Sequence, residues 1–275
     1  MMRSMFAAVS GLKTHQVMLD VTANDIANVN TIAYRGGRTT FKDSLAQLQT
    51  GATAPGPGQG GTNAAQVGLG VQVGAIDNLM SNGAFQSTGN VLDIAIQGEG
   101  WFRVGSGTPP ALPASFQYTR AGNLTLNAAG NLTTQDGYYV IGRTVAGGGA
   151  DTYINVPPGS TDLAVGQDGA VSYIPGGGGP RVVAGYISLA NFANEAGLQR
   201  VAGNRWIESV ASGVPAVNTP GNGLGTTVSG TLEMSNVELA AEFTEMISAQ
   251  RGFQANSRAI SVADEMLQDL VNLKR

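Results

Sequence analysis

No cysteine occurs among the 275 residues. That absence excludes disulfides, thiolate metal sites and cysteine nucleophiles together. Charge is scarce: Asp, Glu, Lys and Arg make up 12% of the chain, about half the usual share. The net charge is −4 and no basic run appears, so the clustered Lys and Arg of a nucleic-acid binder are missing. No stretch approaches the ~18 apolar residues of a transmembrane helix. The opening MMRSMFAAVSGL is a poor secretory signal, because Ser4 and Ser10 break its apolar run and Lys13 follows. If the chain leaves the cytoplasm, export without a cleaved signal is expected.

Reaction chemistry is equally thin. His15 is the only histidine and lies in a helical stretch, where a surface or interface role is expected. A Ser–His–Asp triad would need that residue at a distant site, and no nucleophile-elbow sequence is present. GLGVQVG (68–74) has strand-like flanks and no following helix, so it reads as turn and strand rather than a phosphate loop. The Gln-Asp-Gly triplets ending at Gly137 and Gly169 lack the spaced acids of a calcium loop and read as turns. Trp101 and Trp206 sit in strand-like surroundings and are expected in the core. The reading is therefore no enzyme, no cofactor and no metal.

What is present is apolar content and glycine, with 42% hydrophobic residues and 40 glycines. This is not a disordered composition. Three zones follow along the chain. Residues 1–30 and 236–273 read as helices, and the stretch between about 65 and 230 reads as short strands and turns. The expected class is α+β: long N- and C-terminal helices pairing as a coiled-coil-like core, with a central all-β domain. The expected boundaries are 1–35 plus 233–275 for the helical core, 36–75 for a linker, and 76–232 for the β domain. Within the linker, TGATAPGPGQGGTNAA (50–65) has the composition of an extended loop.

The C-terminal helix has one continuous apolar column: Leu239, Met246, Phe253, Ile260 and Leu267. A second column, Phe243, Gln250, Ser257, Asp264 and Val271, is mixed. Ser235-x-x-Glu238 has the capping-box pattern. Glu238, Glu242 and Glu245 near its start, with Lys274 and Arg275 at its end, complement the helix dipole. Gly252 interrupts the helix and implies a packing reason. The N-terminal helix repeats the design, with Met5, Leu12, Leu19 and Ile26 in one column and Val9, Gln16, Ala23 and Asn30 in the other. Matching seams predict antiparallel pairing. The flanks are Asn, Gln, Ser, Thr and Ala instead of the charges of an independent coiled coil, which suggests that the outer faces also pack, against other subunits. In the middle, 116–140 and 165–173 read as hairpins.

The two ends carry a resemblance. SGLKTHQVMLDVTANDIANVNTIAYR (10–35) resembles the N-terminal signature of bacterial flagellar axial proteins of the rod, hook and hook–filament junction. Asn24, Ile26, Ala27, Asn28, Thr31, Tyr34 and Arg35 match it, as does Ala23. Asp25 replaces the second Asn, and Ala33 replaces a Gly, which disfavours a positive-φ turn there. The segment 235–275 resembles the paired C-terminal signature, through Ser235, Asn236, Gln250, Arg251, Gly252, Phe253 and Asn256. VLDIAIQGEGWFRV and YTRAGNLTL are similar to the family's β-domain motifs. Within the family the ends resemble hook proteins of compact type, with the distal rod protein as the alternative.

The resemblance implies a tube of helically stacked copies, with the terminal helices inside and the β domain outside. It implies a flexible joint that transmits motor torque to the filament, located outside the cell. It also implies partners: further copies of the chain, rod and hook–filament junction proteins, a hook cap and the flagellar type III export apparatus. The apolar columns Met5, Leu12, Leu19, Ile26, Leu239, Met246, Phe253, Ile260 and Leu267 are the expected interface. The asparagines Asn24, Asn28 and Asn30 stand where the first helix should end, and amides that donate and accept suit that turn.

Overall fold

The computed structural model describes residues 2–56, 60–107, 109–113 and 115–273. Lys274 and Arg275, expected to close the last helix, lie outside the described residues, as does the centre of the 50–65 loop. The chain divides into two compact units. One holds Met1–Asn28, Gly37–Asn78 and Val237–Arg275; the other holds Val29–Gly36 and Leu79–Asn236.

The first unit is built on two helices, α1 (Met2–Ala27) and α2 (Leu239–Asn272). At 1.5 Å per residue they span roughly 39 and 51 Å. They pack together and run antiparallel. A Cβ on Gly11 would meet the Asn256 amide at 2.5 Å, and one on Gly252 would meet the His15 ring at 2.5 Å. One residue number rises as the other falls. Two antiparallel hairpin sheets complete the unit. Gly37–Asp43 pairs with Val71–Asn78, and Ala46–Thr50 pairs with Ala65–Gly68. α1 fastens to the first sheet through side chains: Val71 N–H donates to Ser10 Oγ (3.1 Å), and Gly37 N–H donates to Asp25 Oδ2 (2.9 Å).

The helix seam differs from the sequence expectation. Leu12, Leu19 and Ile26 are half-buried, while the residues buried in α1 are Ala8, Gly11, Thr14, Thr22 and Asp25. In α2 the buried positions are Ala249 and Ala263, whereas Phe243, Gln250, Ser257, Asp264 and Val271 are exposed. The true second column of α2 lies one residue earlier than expected. Small side chains occupy the line of closest approach because the distance between helix axes is set by the side chains at the contact. The larger apolar residues flank it. The capping box also does not form: α2 begins at Leu239 with Glu238 in the cap position and no side-chain cap bond.

The second unit is antiparallel β-structure with one 13-stranded sheet. Its centre is the strand Trp101–Gly105, buried throughout and paired with Gln117–Thr119, Tyr139–Val145 and Leu189–Asn191. Successive side chains point to opposite faces. Phe102 and Val104 therefore join a core of Ile94, Ile96, Val140 and Ile187, while Trp101 joins Tyr118, Phe192 and Trp206 on the other side. The two indoles meet edge to face at 5.8 Å. Both hairpins expected in 116–140 and 165–173 are present.

The segment 29–36 belongs to this β unit, not to the helices. Ala33 adopts φ 55° despite its Cβ. It is buried, and its N–H donates to the Glu233 carbonyl at 2.9 Å. The sequence disfavoured that turn, but packing around the residue holds it there, as it does for strained backbones generally.

Candidate functional site

Two features stand out: the outer faces of the helix pair, and a buried ionic hub in the β unit.

The helix pair leaves large apolar side chains uncovered. On α1 these are Met2, Phe6 and Val9, with Phe6 at 66% exposure. On α2, Leu239, Phe243 and Ile247 recur every four residues and form one stripe, with Phe243 and Ile247 near 50%. Val262, Met266, Val271 and Leu273 are also exposed towards its far end. Exposed apolar side chains gathered in this way mark an interaction surface. Of the expected interface residues, Met5, Leu12, Leu19, Ile26, Met246, Ile260 and Leu267 are half-buried. Leu239 and Phe253 sit on the surface at 41% and 38%. Gln250 and Arg251 are exposed beside them, and Gly252 and Asn256 lie in the seam against His15 and Gly11.

Inside the same unit lies an acidic group. Asp25 is buried. Burial, the Asp25 carboxylate and the neighbouring Glu245 push the Glu242 carboxyl up to about 7. At the end of α1, Asn28 donates from Nδ2 to the Asn24 carbonyl at 2.8 Å and to Asn24 Oδ1 at 3.2 Å. Its backbone N–H also bonds the carbonyls of Asn24 and Asp25. These asparagines close the helix at Ala27; Ala27 itself is exposed.

The hub in the β unit gathers residues from distant parts of the chain. The side chains of Arg35 and Glu233 are fully buried and pair at 2.8 Å, while Arg120 approaches the other Glu233 oxygen at 3.5 Å. Both guanidiniums face the Trp101 ring, at 6.0 and 5.5 Å from its centroid. Burial lowers the Arg120 pKa, and Glu233 opposes that shift. Arg35 also donates to the Ser81 carbonyl at 2.8 Å, and Gly83 N–H donates to Glu233 at 3.0 Å. Beside it, the Tyr34 ring lies under the Arg200 guanidinium at 4.7 Å. Arg200 also donates to the Arg35 carbonyl. Thr31 accepts from the Tyr34 N–H at its carbonyl.

Asn236 completes the arrangement. Its Oδ1 accepts from Gly36 N–H at 2.8 Å, and its Nδ2 donates to the carbonyls of Leu79 (2.8 Å) and Ser81 (3.0 Å). Its own N–H donates to the Tyr34 carbonyl. Ser235, next to it, is half-buried. The structure thus brings Tyr34, Arg35 and Asn236 together and leaves Gln250 and Arg251 on a helix surface elsewhere. Sequence reading missed Glu233, Arg120 and Trp101 as partners of Arg35. A buried Arg demands a carboxylate, but nothing in the sequence says which.

A cleft of about 360 Å³ is lined by Asn30, Thr31, Thr119, Asp136, Asn204 and Arg205, among others. Asp136 is its one carboxylate, 3.8 Å from Arg205.

Three family signatures match the chain. Residues 5–35 match the one described as "Flagella basal body rod protein". Residues 95–173 match "Flagellar hook protein FlgE/F/G D1 domain", and 228–273 match "Flagellar basal body rod FlgEFG protein C-terminal". The flagellar basal-body rod protein FlgG of Bacillus subtilis is 47% identical over 277 positions, covering all of both chains. That of Agrobacterium fabrum is 38% identical, covering 96% of this chain and 97% of the relative. The flagellar hook protein FlgE of Borreliella burgdorferi is 27% identical over 447 positions, covering all of both chains.

Proposed function

The chain belongs to the flagellar rod and hook axial family, and from that premise we propose that it is a structural subunit of the rod, polymerising with copies of itself. The end-to-end match to rod proteins carries this reading. The terminal motifs alone favour a hook subunit, but rod and hook share those motifs, so they do not discriminate. Aligned length and identity support the rod: 277 positions against the rod protein at 47% identity, and 447 against the hook protein at 27%. The distal rod is therefore the favoured assignment.

In this reading the subunit does no chemistry and needs no cofactor. The terminal helices form the inner layer of a tube, and the β unit forms the outer layer. The uncovered stripe Leu239, Phe243 and Ile247, with Phe6 and Val9 of α1, supports burial between copies. Neighbouring rod and junction proteins, a cap and the flagellar export apparatus are the other partners of the proposal, in the flagellum.

Electron microscopy of the full chain under polymerising conditions tests it. Straight tubes are expected. Curved tubes would return the assignment to the hook. Discrete particles at every concentration, even with preformed seeds, would refute self-polymerisation.

A further inference from the structure

We infer that the β unit is shut by a two-ended clasp, residues 29–36 and 226–236, and that its core cannot fold until both ends of the clasp are present. The inference rests on the internal contacts of this unit and stands whether or not the chain polymerises.

The C-terminal half supplies strands. Thr226–Ser229 is the partner of Ile94–Gln97, and Thr231–Glu233 is the partner of Phe85–Ser87, each in a two-stranded sheet. Ile94, Ala95 and Ile96 are wholly buried. Without residues 226–233 this buried strand would lose its ladder with 226–229, although the Ile94 N–H would keep the Gly122 carbonyl and the Ile96 carbonyl would keep Arg120; a backbone group left unpaired in a core is costly. The closure is also tight. A Cβ on Gly83 would stand 2.0 Å from the Met234 carbonyl oxygen, so the returning chain lies directly on the backbone there.

The charges make the two halves interdependent. Glu233 arrives late in the chain and is the carboxylate of two buried arginines, Arg35 and Arg120. If 226–236 is absent, both guanidiniums are buried without a counter-ion. If 29–36 is absent, Glu233 loses Arg35, and its carbonyl loses the Ala33 N–H. With 226–236 absent, two guanidiniums are left without the carboxylate they pair with, which is strongly disfavoured; with 29–36 absent, Glu233 keeps Arg120, but the hub loses the Arg35 bonds to Glu233 and to the Ser81 carbonyl. A body that lacks 226–236 is therefore not a resting state.

The order of synthesis gives this a consequence. Domains usually fold as units as the chain emerges, amino end first. Here the β unit stays open until residue 236 has appeared. On the axial role proposed above, the chain would remain threadable for export until residue 236 has emerged.

Native-state hydrogen exchange on the full chain tests the clasp. Amides of 94–97 and 226–229 should exchange with the same denaturant dependence as those of Trp101–Gly105. Replacing Asn236 by Ala should raise both sets by the same factor, at least 10-fold. Exchange raised only in the clasp, with 101–105 unchanged, would mean local fraying and overturn the inference. A chain ending at residue 225 should lack a cooperative urea transition in tryptophan emission, and one ending at 238 should retain it. A cooperative transition in the shorter chain would equally refute the clasp.

Discussion

Replacing Glu233 by Ala perturbs the hub most directly. The side chains of Glu233 and Arg35 are fully buried and that of Arg120 is 2% exposed. Removing one partner from a buried ion pair costs about 3–5 kcal/mol, because the remaining charge is left uncompensated. Here two guanidiniums lose the same carboxylate, and Gly83 N–H loses its acceptor. A net loss of about 4 kcal/mol is expected. With a urea dependence of about 2 kcal/mol/M, the midpoint should fall by about 2 M. Tryptophan emission reports it directly, since Trp101 lies against both arginines. Replacing Glu233, Arg35 and Arg120 together by Leu, Met and Leu should recover most of the loss, because apolar groups of similar volume need no counter-ion. A midpoint shift under about 0.5 M for Glu233→Ala, or about 1 kcal/mol, would show that the charges are solvated and would sink the argument.

The remaining predictions concern the helix pair. Gly252→Ala gains up to about 1 kcal/mol in helix propensity, yet its Cβ would stand 2.5 Å from the His15 ring. Overpacking of about 1–3 kcal/mol should win, lowering the helix melt at 222 nm, and His15→Ala should restore it; a stabilised single variant would contradict the seam. Glu242 titrates near 7 in the folded pair, above its ordinary value of 4.5. A raised carboxyl favours the fold when protonated, so the pair should gain stability as pH falls from about 7 towards 4.5 and lose it as pH rises. Glu242→Gln should flatten that dependence in pH-scanned melts, and an unchanged slope would count against it. Phe243→Asp places a charge on the exposed stripe. It should abolish sedimenting polymer while leaving the monomer melt within about 0.5 kcal/mol of the parent; tubes of normal yield would exclude this stripe from the interface.

The seam shows how far periodicity reaches. Two long helices were legible from apolar recurrence, and so was their antiparallel pairing. The contact line itself was not. The apolar columns run through Leu and Met, while the backbones approach along Ala8, Gly11, Thr22, Ala249 and Ala263. Small residues contribute little to an apolar pattern, although close approach requires them. Gly252 was the one visible sign, a helix-weakening residue that needed a packing reason. The start of α2 failed for a related cause. Ser235-x-x-Glu238 is a valid local signal, but Asn236 is tied to Tyr34, Gly36, Leu79 and Ser81. Those bonds hold the backbone out of a helix until Leu239.

The sequence by itself determined the two helices, the hairpin turns, the buried tryptophans and the axial family, because each is written in local spacing or in long terminal motifs; the strands Gly37–Asp43 and Ala46–Thr50 stand in a stretch that reads as linker. It marked Arg35 and Asn236 as notable without saying what they touch. Only the tertiary structure decided that Arg35 meets Glu233, 198 positions away, beneath Arg120 and Trp101. It also decided that Ala33 takes a left-handed turn and that 29–36 belongs with the strands. The physical reason is common to all three. A buried charge or a strained backbone is set by what the rest of the fold can supply, and spacing along one chain carries no record of that.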